Sequence, residues 1–108
     1  MQDQMYEALV QGLLSILSSQ TVQIVLYGST ARGTATPESD IDIALFVNQK
    51  LTRDQEDRLS DLIVNLNLTY NKVFSVVDIE HKNYLKWRDV TPFYQNVDKE
   101  GIVLWKAA

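Results

Sequence analysis

Asp40 and Asp42 stand two positions apart at the head of the apolar run Ile41 to Val47. Successive side chains of an extended strand leave opposite faces, so these two carboxylates leave the same one, with Cα atoms roughly 6.5–7 Å apart. Carboxylates that close repel, and aspartate is disfavoured in strands. A divalent cation between them removes the repulsion, and Mg²⁺ takes carboxylate oxygens at about 2.0–2.1 Å. Ile41, Ile43, Leu45 and Val47 leave the other face, toward a core. Taken alone, such a pair more often decorates a solvated strand edge than binds a metal.

The stretch just upstream, Gly28-Ser29-Thr30-Ala31-Arg32-Gly33, changes that balance. A strand that ends in Gly-Ser and turns into a helix presents backbone N–H groups and a hydroxyl to an anion. Gly28 permits a close backbone approach, and Ser29 can donate to a phosphate oxygen, with Thr30 next to it in the turn. Arg32 has two readings. Its guanidinium suits a phosphate fork, and it equally suits a structural ion pair clamping Asp40 or the Ser39 loop. Ser39 itself reads as a turn or cap residue. Gly-Ser turns are common, but an anion cradle set beside a carboxylate pair on a neighbouring strand rarely arises by accident.

The elements that must position these groups follow from periodicity. Tyr6, Leu9, Val10, Leu13, Leu14 and Leu17 repeat as the buried stripe of an amphipathic helix, with Gly12 a minor cost. Val22 to Tyr27 reads as a strand, Thr30 to Gly33 as one or two helical turns, and Ile41 to Val47 as a second strand. Thr52 and Gln55 form the signature of a capping box, with Asp54 and Glu56 favourably placed in the first turn of the helix that follows. Leu59, Leu62, Ile63 and Leu66 are its apolar stripe. Val73 to Ile79 reads as a third strand, Tyr84 to Arg88 as a short helix broken at Pro92, Phe93 to Val97 as a further turn, and Ile102 to Trp105 as a last short strand. This alternation implies an α/β (α+β) fold, a small mixed sheet with flanking helices.

The bulk numbers bound the answer. The 108 residues have room for one domain, spanning 1–108, with 45% hydrophobic and 22% charged residues, close to globular averages. A net charge of -4 argues against direct nucleic-acid binding, which needs a basic face. Cysteine is absent, which excludes disulfides and thiolate metal sites. Met1-Gln2-Asp3-Gln4 lacks the basic region of a secretory signal, and no apolar run approaches the roughly 20 residues that span a bilayer. The expectation is a cytoplasmic protein without a membrane segment.

Gly28-Ser29-Thr30-Ala31-Arg32-Gly33 followed by Ser39-Asp40-Ile41-Asp42-Ile43 resembles the signature of the DNA polymerase β-like nucleotidyltransferase superfamily. The compact form, with Ala-Arg-Gly after Gly-Ser, is similar to its minimal nucleotidyltransferase (MNT) branch, and the resemblance covers nearly the whole chain. It implies a polymerase β-like fold and transfer of a nucleoside monophosphate from ATP. It also implies a third carboxylate on a later strand, for which Asp78, ending the run Val73 to Val77, is the candidate; the alternative is a strand-end residue capping the turn into His81-Lys82. On the family pattern Asp40, Asp42 and Asp78 hold two Mg²⁺ ions, and Gly28, Ser29, Thr30 and Arg32 hold the nucleotide.

Members of the MNT branch serve different acceptors. The resemblance implies an antitoxin that transfers AMP to a tyrosine hydroxyl of a partner HEPN-domain toxin. Two alternatives stay open. A small-molecule nucleotidyltransferase is one, although such relatives usually carry an extra helical domain. A module that occupies a toxin without modifying it is the other.

Overall fold

The computed structural model describes residues 2–108; Met1, the first residue of the stretch read against a secretory leader, lies outside them. Helix α1 (Gln2–Leu17) runs through a 3₁₀ turn (Ser18–Gln20) into strand β1 (Thr21–Tyr27). A short helix α2 (Gly28–Arg32) and a loop lead to β2 (Ile41–Val47), then α3 (Arg53–Tyr70) and β3 (Phe74–Glu80). Helices α4 (His81–Trp87) and α5 (Pro92–Glu100) precede β4 (Ile102–Lys106).

The four strands form one mixed sheet in the order β3-β2-β1-β4. β1 is antiparallel to both of its neighbours, whereas β2 and β3 are parallel and joined through α3. Parallel strands need such a crossover, because no tight turn can connect them. Helices α1 and α3 cover one face of the sheet. Leu9, Leu13 and Leu17 of α1 and Leu66 of α3 are buried there against Ile24, Leu26, Ile41, Ile43, Leu45, Val47 and Phe74. Gly12 sits where the two helices meet: a Cβ there would come within 2.6 Å of Leu62 Cδ1. The glycine that costs helix propensity thus buys close packing.

The opposite face is covered by α4 and α5, whose Tyr84 and Val97 pack on Val25, Ala44, Phe46 and Ile79. β2 is therefore buried on both faces along most of its length, which explains its nearly unbroken apolar run. Its exception is the Asp42 end. A capping box starts α3: Gln55 N–H donates to Thr52 Oγ1 at 3.1 Å, and Thr52 N–H to Gln55 Oε1 at 2.9 Å.

Two elements differ from the sequence expectation. α5 runs from Pro92 to Glu100, not the single turn read over Phe93 to Val97. Pro92 occupies the first turn, where a missing N–H costs nothing, so it starts this helix; it does not break the previous one, which has already ended at Trp87. α4 begins at His81, ahead of the Tyr84 to Arg88 segment. No helix among the described residues is long and apolar enough to cross a membrane.

Candidate active site

The antiparallel register sets Tyr27, the last residue of β1, opposite Asp42. The turn that follows Tyr27 therefore begins against that carboxylate. Gly28 has φ 76°, and a Cβ on it would collide with Asp42 Oδ2. Only glycine satisfies both the left-handed backbone and the close approach. No side chain caps the start of α2, and Ser29 and Thr30 are half-buried in its first turn. Gly33, with φ 77°, ends the helix, and Thr34 N–H donates to Ser29 O at 3.0 Å.

The loop back to β2 is closed by Ser39, whose Oγ accepts from Thr36 N–H at 2.9 Å while its own N–H donates to Thr36 O at 3.0 Å. This is the turn role read for it. The loop delivers Asp40, exposed, and Asp42, half-buried, to the start of β2. Burial pushes the Asp42 carboxyl above the usual aspartate range, Asp40 pushes it further, and Arg32 opposes both. Burial and then Asp42 also raise the Tyr27 hydroxyl. Negative charge is under-neutralised at this spot. Two carboxylates with a hydroxyl nearby are hard oxygen donors, the set that suits Mg²⁺ and not a thiolate-seeking metal.

Arg32 forms an ion pair, but with neither partner expected for it. Its Nη1 donates to Glu100 Oε1 at 3.0 Å and Oε2 at 3.1 Å, tying α2 to the end of α5. The clamp onto Asp40 or the Ser39 loop is corrected accordingly.

Asp78 is not brought to the pair. The parallel register sets Asp78 beside Leu45, and Asp42 beside Ser75. Residues paired this way share a face, so Asp78 lies with Ile43 and Leu45 on the α1/α3 side, and Asp42 on the other. It is also three positions further along the sheet, about 10 Å. Among the described residues no three acidic, histidine or cysteine side chains gather closely enough to hold a metal ion. The expected third carboxylate is therefore corrected: Asp78 is an exposed residue near the end of an edge strand. The β3 residue beside Asp42 on its own face is Ser75, half-buried, which the sequence reading passed over. Only the register singles it out.

Two clefts flank this region. One, about 290 Å³, is lined by Tyr6, Thr30, Thr36, Ser39 and Lys72. The other, about 440 Å³, runs between β3 and α5, lined by Val77, Asp78, Ile79, Glu80, Phe93 and Tyr94 with Lys50 and Asn83, so Asp78 borders this cleft even though it stands three positions along the strand from the residue beside Asp42. Tyr27 and Phe93 meet edge to face at 5.5 Å, so this second cleft begins one ring away from the residue opposite Asp42.

Comparison with known proteins gives a family and a fold. Residues 9–100 match the family model described as nucleotidyltransferase domain. A Methanocaldococcus jannaschii protein named "Putative protein adenylyltransferase" is 33% identical over 96 residues, covering 89% of this chain and 90% of that one. Among solved structures, a chain of a toxin-antitoxin crystal structure with AMP-PNP superposes with a TM-score of 0.64 at 24% identity, over 94% of this chain and 73% of that chain. A chain of the complex between tri-AMPylated Shewanella oneidensis HEPN toxin and MNT antitoxin does so with a TM-score of 0.61 at 22% identity, over 99% of this chain and 74% of that chain.

Proposed function

We propose that this chain, which belongs to the nucleotidyltransferase domain family, transfers AMP from ATP to a tyrosine hydroxyl of a partner HEPN toxin and so silences it. That it is a nucleotidyltransferase follows from the family, and its fold is that of the polymerase β-like nucleotidyltransferases. The choice of ATP is supported by a fold neighbour solved with AMP-PNP, and the choice of acceptor by one solved with an AMPylated HEPN toxin. The observation that carries the reading is the contact between Gly28 and Asp42, which joins the phosphate-type turn to the carboxylate pair. The setting on this reading is the cytoplasm.

Asp40 and Asp42 are the residues that would hold Mg²⁺, two ions in the full two-metal scheme. Bound there, Mg²⁺ supplies charge neutralisation for the triphosphate and a lowered pKa for the acceptor hydroxyl. Ser29 and the N–H groups of Gly28 to Thr30 hold the β- and γ-phosphates, and the positive charge of Arg32 lies on the same side. The acceptor hydroxyl would give up its proton to solvent as its oxygen bonds to the α-phosphorus and the bond from that phosphorus to the departing pyrophosphate breaks in line. Positioning and charge neutralisation supply most of the acceleration, as in phosphoryl transfer generally.

The test is incubation with Mg²⁺, the HEPN partner, and ATP labelled on either its α- or its γ-phosphate. Label from the α-position, and not from the γ-position, is expected on the partner. A tight complex that acquires no label would contradict transfer and favour the inert module. Label appearing only on small hydroxyl compounds would favour the small-molecule alternative.

A further inference from the structure

We propose that Glu100 is a positioning residue for the nucleotide: it anchors Arg32 by one nitrogen so that the rest of the guanidinium faces the phosphates at Ser29. This rests on the nucleotidyl-transfer reading above. Both Glu100 oxygens accept from the same nitrogen, Nη1, at 3.0 and 3.1 Å. Among the described residues, Nε and Nη2 of Arg32 have no protein hydrogen-bond partner, so several donors of the fork remain available to an anion. Arg32 lies three positions after Ser29 in α2, one helical turn on and on the same side of the helix. An anion held by Ser29 is thus within the natural reach of the free edge of the guanidinium.

The acid is the fixed member of the pair. The Glu100 side chain is 22% exposed and that of Arg32 49%. Glu100 ends α5, which Val97 pins to the sheet. Gly101 N–H then donates to Val97 O at 2.9 Å, and a Cβ at Gly101 would come within 2.6 Å of Val25 Cγ1. α5 is therefore held tightly where Glu100 leaves it. A flexible arginine at the end of a five-residue helix gains from such a support, because its ordering cost is met before the nucleotide arrives.

The experiment measures equilibrium binding of AMP-PNP and of AMP to the wild type, Glu100→Gln, Glu100→Asp, Arg32→Ala and the Arg32→Ala/Glu100→Gln double variant. Melting temperatures are recorded alongside. Glu100→Gln is expected to weaken AMP-PNP binding about tenfold, the loss of a well-placed charge-assisted contact, with AMP binding nearly unchanged. Glu100→Asp should fall between Glu100→Gln and the wild type. In the Arg32→Ala background Glu100→Gln should add no further loss, because it acts only through the arginine. Unchanged AMP-PNP binding in Glu100→Gln, or equal losses for AMP and AMP-PNP that track a fallen melting temperature, would overturn the proposal. A wild type that binds no AMP-PNP would sink the nucleotidyl-transfer reading itself.

Discussion

At Asp42 burial and charge work against each other. Burial and the neighbouring Asp40 raise its pKa above that of an unfolded aspartate. The folded protein therefore binds this proton more tightly than the unfolded chain, and stability falls as pH rises through the aspartate range toward the raised folded value. Asp42→Asn removes that penalty. Without divalent metal it should melt above the wild type at neutral pH, and the difference should vanish on acidification below the ordinary aspartate range; thermal melts across pH check this. Gly28→Ala should do the reverse. It adds roughly 1–2 kcal/mol of left-handed strain and displaces the Asp42 carboxylate, so transfer should drop more than about tenfold in a label-transfer assay. Both residues were legible in the sequence, because strand alternation and the Gly-Ser turn each have a local cause. Asp78 was misread because its face depends on which β3 residue lies beside Asp42, and no local signal fixes that.

Elements were legible where their ends carry their own chemistry. The Thr52 capping box announced the start of α3, and the alternation of Ile41, Ile43, Leu45 and Val47 announced β2. Thr52→Ala should cost about 1 kcal/mol in denaturant unfolding and leave the transfer rate unchanged, since the cap lies far from the Gly28 end of the sheet. α5 was underestimated because its length is set by tertiary contacts. Val97 on the sheet and Glu100 on Arg32 extend a segment whose own sequence reads only as a turn after a proline. The strand order and the antiparallel pairing of β4 with β1 were likewise out of reach, because they are properties of the assembled sheet.

Across the whole molecule, two helical layers bury all of β2 but Asp42, which is half-buried near its start. α1 and α3 close one face, α4 and α5 the other, and the turn into α2 meets Asp42 near the start of the strand. The acidic balance of the chain fits this arrangement, for the phosphates would be met by Arg32 and by metal, not by a basic surface. The most direct measurement compares AMP transfer by Asp42→Asn and Asp78→Asn under identical Mg²⁺, ATP and partner conditions. A centre built on Asp40, Asp42 and the Gly28-Ser29 turn predicts a loss of about a hundredfold or more for Asp42→Asn and a rate within about twofold of wild type for Asp78→Asn. Full activity in Asp42→Asn, or collapse in Asp78→Asn with its melting temperature intact, would contradict it.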